Sequence, residues 1–141
     1  MAVFRHEIVI ARPIDVVFAA VADPNTHPQW QEGLLQTQAE SESQARVGAR
    51  GVEVRRLFGR EARFPYEITV YNPPHAWGFR ALEGPIRPAA VLSFESQNNG
   101  TKVKSELMVP GLLGWPFGRA LLAQQRRNYA RLKELLEAGK L

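Results

Sequence analysis

The chain has 141 residues, 45% hydrophobic and 23% charged, which suits one globular domain spanning 1–141 and excludes a chain too polar to bury a core. It has no cysteine, which excludes disulfides, thiolate nucleophiles and cysteine-based metal sites. The formal charge of +4 is dispersed: Glu53, Glu61 and Glu67 interrupt Arg50, Arg55, Arg56, Arg60 and Arg63, and Glu134 and Glu137 follow Arg119, Arg126, Arg127 and Arg131. A solvated basic face is therefore expected, with no specific nucleic-acid partner; an anionic ligand or membrane surface is the alternative.

The first residues, Met1 to Glu7, lack the basic-then-apolar pattern of a leader, and no apolar run approaches the roughly 20 residues of a membrane span. A cytoplasmic location is expected. Phe4 to Ile10 alternates with period two, so Phe4, His6, Ile8 and Ile10 share one face of a first strand. Pro13 then opens a short amphipathic helix carrying Val16, Val17, Ala20 and Val21, and Asp23-Pro24-Asn25 ends it and caps a second short turn toward Trp30.

After Gly33 the pattern turns to strands, over 34–42, 49–58, 63–71, 76–82, 89–96 and 101–109. Asn72-Pro73-Pro74-His75 and Gly84-Pro85 punctuate the run, and Asn99-Gly100 supplies the positive φ angles of a tight hairpin. Seven strands with short loops, and helix almost confined to the two ends, predict an α+β fold on an antiparallel sheet. Gly114-Trp115-Pro116 starts a last helix uninterrupted to Gly139, a rod of roughly 36 Å. Phe117, Leu121, Leu132 and Leu135 fall within about 60° on its wheel and mark the face to be buried.

Motifs spread along most of the chain resemble those of the SRPBCC superfamily, the START-like, polyketide-cyclase-like and Bet v 1-like proteins. Ile10-Ala11-Arg12-Pro13-Ile14-Asp15-Val16-Val17-Phe18 is similar to the family's strand-into-helix opening, and Asp23-Pro24 with Pro28-Gln29-Trp30 to its follow-on. Val47-Gly48-Ala49-Arg50, Asn99-Gly100-Thr101-Lys102-Val103 and Leu132-Lys133-Glu134-Leu135-Leu136-Glu137 are similar to the turn into the third strand, the last hairpin and the end of the long helix. The resemblance implies the helix-grip fold: a curved seven-stranded antiparallel sheet gripping the C-terminal helix, with two short helices after strand one and a cavity between sheet and helix.

Residues that would line such a cavity are Phe58, Phe64, Tyr66, Trp77, Phe79, Phe94, Phe117, Leu121, Gln125 and Asn128. The aromatic rings either fill a core or border a pocket. Asn128 and Gln125 sit inside the apolar stripe, where an unpaired amide costs about 1–3 kcal/mol, so they face a partly hydrated cavity or bond a sheet side chain or backbone group. Gly111-Leu112-Leu113-Gly114-Trp115 is either apolar cover at the pocket mouth or a packed linker.

No metal-ligand spacing appears among His6, His27 and His75; the last two are expected to be exposed in proline-rich turns. No nucleophile elbow, phosphate loop or dinucleotide fingerprint is present, and Glu67 and Glu95 are expected to point to solvent. No residue is assigned as catalytic; His6 and Tyr66 are weak candidates, with Arg56 on the parity of Val52, Val54 and Phe58. The expected function is binding or transport of a small hydrophobic ligand such as a lipid, polyketide or aromatic metabolite, without a cofactor, by a monomer or homodimer. The alternatives are a cyclase, aromatase or dehydratase using the same cavity, and a protein- or membrane-interaction module.

Overall fold

A computed structural model of the chain describes residues 2–39, 46–57, 59–112 and 114–141. Phe58, Leu113 and the end of the expected second strand at 40–42 lie outside the described residues. The chain runs β1 (Ala2–Ile10), α1 (Ile14–Ala22), a 3-10 turn (Pro24–Thr26), α2 (His27–Trp30), β2 (Leu34–Ala39), β3 (Arg50–Leu57), β4 (Arg60–Asn72), β5 (Ala76–Ala81), β6 (Ala89–Gln97), β7 (Gly100–Val109) and α3 (Gly114–Glu137). The strands form one curved antiparallel sheet in the order β1-β7-β6-β5-β4-β3-β2, and α3 packs over β1 and β7 and meets α2, as the helix-grip pattern implied. Among the described residues no helix is long and apolar enough to cross a membrane.

The outer face of the sheet carries charge in pairs. Arg5 meets Glu106 at 3.2 Å, Lys102 meets Glu7 at 3.6 Å, and Glu67 lies between Arg50 at 3.0 Å and Arg80 at 3.2 Å. Glu67 and Glu95 therefore stand on the side that alternation predicted. The inner face is apolar: Val103, Leu107, Leu92 and Phe94 of the sheet, Val17, Phe18 and Val21 of α1, and Leu132 and Leu136 of α3 are all buried. Each fully buried aliphatic side chain contributes about 1.5–3 kcal/mol to the folded state.

The strand-into-helix junction after β1 clamps the far end of α3. Arg12 donates from its guanidinium to the Leu136 carbonyl at 2.6 Å, and the Ala11 N–H donates to the Glu137 carboxylate at 2.8 Å. A cation on the last-turn carbonyls of a helix satisfies acceptors that have no partner within it. Thr101, fully buried, donates to the Arg12 carbonyl at 2.8 Å and fixes that junction to β7. The stretches that resembled the superfamily are thus anchors of the fold.

Two local expectations are corrected. In the β6–β7 hairpin the positive φ angles belong to Asn98 (+48°) and Asn99 (+66°), and Gly100 is already paired in β7 with Gln97. Asparagine tolerates that region, and Gly100 is needed for a different reason: a Cβ there would stand 2.8 Å from the Ile10 carbonyl oxygen. On α3 the buried line runs Gly114, Gly118, Tyr129, Leu132, Leu136, with Asn128 and Leu135 beside it, whereas Phe117 is exposed. A Cβ on Gly118 would collide with the Phe4 ring. The helix backbone therefore rests on β1 through glycine, which rotates Phe117 off the sheet.

Candidate functional site

The inner face is packed most tightly at one end. Near α1 and α2 the rings interlock: Phe18 meets Phe94 edge-on at 5.4 Å, His27 meets Trp77 at 5.6 Å, and Trp30 lies 6.1 Å from Tyr129. Phe94 and Trp77, nominated as cavity residues, are core residues at this end. Toward the other end Phe64, Phe79 and Leu121 stay only half buried although they sit on the inner face or beside it. Here α3 lies over β1, β7 and α2, and the inner surface of β3, β4 and β5 is less fully covered.

Strand register sets which polar groups share that inner surface. Gly51 pairs with Tyr66, and a Cβ on Gly51 would fall 2.5 Å from the Tyr66 hydroxyl, so the two residues share the inner face. By alternation Glu53 and Arg55 share it too, and Arg56 points outward, where it lies 3.9 Å from Glu61. The inward assignment of Arg56 is thereby corrected. Val52 and Val54 suggest the wrong parity because Val54 is buried on the outer face, flanked across the strands by Gln36 and Arg63, whose long stems can cover apolar neighbours.

Glu53 and Arg55 form an ion pair of 2.9 Å with side chains only 15% and 21% exposed. Arg55 also donates to the Gln31 side-chain oxygen at 2.7 Å. From there the network reaches α3: the Glu32 N–H donates to Asn128 Oδ1 at 2.9 Å, and the Glu32 carboxylate pairs with Arg127 at 2.9 Å. Asn128 thus takes the backbone-bonded alternative and ties the segment after α2 to the helix. It also borders a surface concavity of about 270 Å³ together with Trp30, Gln31 and Arg131. A second concavity, of about 670 Å³, lies at the filled end between α1 and the β4–β5 turn, against Phe18, Tyr71 and Pro73. Of the nominated residues that are described, Asn128 alone borders either one.

Gln125 faces Ser105, whose hydroxyl lies 3.5 Å from its side-chain oxygen. Burial pushes the Tyr129 pKa up to about 12, against a hydrogen bond with Ser105 that lowers it. His6 stacks on Tyr129 with ring centres 5.9 Å apart, and partial burial with the Arg126 charge lowers its pKa, which favours neutral imidazole. Burial, helped by the Glu53 charge, pushes Tyr66 up to about 12, so it is a neutral phenol able to donate a hydrogen bond.

His27, expected in solvent, is instead buried. Its Nε2 lies 2.7 Å from the Val21 carbonyl, a geometry that places the proton on that nitrogen, and its ring packs edge-on to Trp30 and Trp77. The proline residues around it signal a turn; the turn is the one that folds α2 against the sheet. Among the described residues no three His, Asp or Glu side chains converge in a way that could hold a metal ion. The inner face of β3, β4 and β5 therefore carries half-buried apolar rings, a neutral phenol and a carboxylate–guanidinium pair. That set suits enclosing an apolar body and orienting it by hydrogen bonds.

The sequence model of a family described as polyketide cyclase / dehydrase and lipid transport matches residues 1–137. No curated protein matches the chain in sequence. Among solved structures, a protein of Deinococcus radiodurans is 20% identical with a TM-score of 0.73, covering 98% of this chain and 99% of its own. Ara h 8.0201 superposes with a TM-score of 0.81 at 10% identity, over 97% of this chain and 98% of that one. The di-domain ARO/CYC BexL, from the BE-7585A biosynthetic pathway, gives 0.79 at 19% identity over 97% of this chain and 47% of its own. Likenesses at such identities establish the fold alone.

Proposed function

The chain belongs to the polyketide cyclase / dehydrase and lipid transport family, within the SRPBCC superfamily, and from that premise we propose that it binds a small hydrophobic ligand in the groove between α3 and strands β3–β5. The observation that carries the reading is the contrast along the inner face. One end is locked by interleaved rings, whereas Phe64, Phe79 and Leu121 keep half-buried apolar surface, and β3 and β4 present the Glu53–Arg55 pair and Tyr66 on the inner face. Apolar area removed from water there would contribute about 25 cal/mol per Å². Glu53, Arg55 and the Tyr66 phenol then favour a ligand with a hydrogen-bonding group on an apolar body, such as a hydroxylated polyketide, an aromatic metabolite or a lipid.

Ligand burial is tested by native mass spectrometry of protein purified from its own host. A released small molecule is expected, and Phe79→Ser with Leu121→Ser should lose it. Glu53→Gln should retain less of it, since Arg55 is left without its partner in the groove. A clean apoprotein that also fails to take up hydrophobic probes would sink the reading.

A second reading, a cyclase or dehydratase, is favoured by one observation: Glu53 lies on the inner face diagonally across the β3–β4 pair from Tyr66, a carboxylate beside a phenol. Tyr66→Phe would then reduce turnover of a reactive polyketide while leaving its binding intact.

A further inference from the structure

Strand direction brings three connections together beside the start of α3. Because Leu57 pairs with Arg60, Arg80 with Ala89 and Ala2 with Val109, the β3–β4 hairpin, the β5–β6 loop and the β7–α3 segment lie side by side at one end of the sheet. At that end α3 begins with its largest apolar side chains in solvent. Leu112 is fully exposed, Trp115 is 66% exposed and Phe117 is 47% exposed, whereas Trp30 and Trp77 are buried. Trp115 is held in this position by an edge-on contact with Phe4 at 5.3 Å. Three large side chains kept in water at one tip are costly unless something covers them.

The charge around the tip indicates what does so. Arg60 on the β3–β4 hairpin, Arg87 on the β5–β6 loop and Arg119 one turn along α3 are exposed, and among the described residues none of the three makes an ion pair. Glu61 at the same end faces Arg56, and Glu83 is the other carboxylate there, so the rim is net positive. From Gly114 to Lys133 the helix carries no carboxylate at all.

We propose that this tip docks the protein on an anionic lipid bilayer, with Leu112, Trp115 and Phe117 entering the interface and Arg60, Arg87 and Arg119 facing lipid headgroups. Tryptophan suits that depth because its ring is apolar and its N–H is polar, and apolar and basic side chains at one tip give two additive signals for reversible attachment. Docking here points the groove mouth at the bilayer, the geometry needed to exchange an apolar ligand without crossing water. The surface stands apart from the ligand reading and is testable on protein with an empty groove.

The test uses vesicles of phosphatidylcholine with and without phosphatidylserine, read by co-flotation and tryptophan emission. With phosphatidylserine the protein is expected to float and its emission to move to the blue. Trp115→Phe should abolish the shift while flotation persists, because the other two tryptophans are already buried. Leu112→Ser and Phe117→Ser should weaken flotation, and Arg87→Gln and Arg119→Gln should each weaken it about fivefold. All four positions are exposed, so unfolding midpoints should not move. Failure to float with phosphatidylserine overturns the proposal, as does binding that ignores both kinds of variant. A blue shift without vesicles, with a doubled mass, also overturns it and makes the tip a contact between two copies of the chain.

Discussion

His27 is enclosed by Trp30 and Trp77, and its Nε2–H is already committed to the Val21 carbonyl. Burial lowers its pKa from the ordinary 6.5 in the folded chain. The unfolded chain therefore takes up a proton first as pH falls, and folding opposes that uptake. Stability from this residue is complete above 6.5 and is lost on acidification through 6.5 toward the folded value. Urea unfolding at several pH values between about 7.5 and 5 should show the midpoint falling. His27→Gln, which can still donate to Val21, should flatten that dependence; His6→Gln separates the smaller part due to half-buried His6, whose pKa is lowered in the same direction. An equally steep fall in His27→Gln would remove the assignment. Side-chain position is the least legible level in the sequence. Proline near His27 marks the turn but not its burial, and Val54 gives β3 an apolar alternation on the outer face that hides Glu53 and Arg55. A signal for the pair exists in Gly51, since a glycine within a strand marks a close approach, here the Tyr66 ring.

The elements themselves are legible because period and punctuation agree. Seven strands, two short helices and the long helix all follow from alternation, Pro-Gly breaks and one uninterrupted run to Gly139. What periodicity alone does not give is the rotation of α3. A hydrophobic wheel ranks Phe117 above Gly118, but contact with β1 selects the residue that lets two backbones approach. Gly118→Ala should accordingly destabilise the protein by about 1–3 kcal/mol from overpacking, despite the better helix propensity of alanine. Phe4→Leu in the same chain should recover part of that loss, as a double-mutant cycle measured by thermal unfolding would show. A Gly118→Ala variant as stable as the parent would mean that α3 sits further from β1 than described. The same rotation explains why Phe117 is in solvent and free to serve the tip.

For the molecule as a whole, the fold is readable from the motifs that turn out to be anchors: Arg12 on the Leu136 carbonyl, Thr101 on the Arg12 carbonyl, and α1 against β6. The proposed groove is less so, because nothing in the sequence separates aromatic residues that fill the core from those left half buried. Trp77 and Phe94 belong to the core, Phe64 and Phe79 stay half buried and are the proposed wall, and Asn128 belongs to the strap that joins the segment after α2 to α3. The most direct test of the central claim is a nuclear magnetic resonance titration with a soluble hydroxylated aromatic probe, following side-chain signals of Phe64, Phe79, Leu121 and Tyr66. Saturable shifts concentrated on these four, with Phe94 and Val17 unmoved, are the predicted result. Shifts confined to Leu112 and Trp115, or to the concavity beside Tyr71, would contradict it and place the ligand outside the groove.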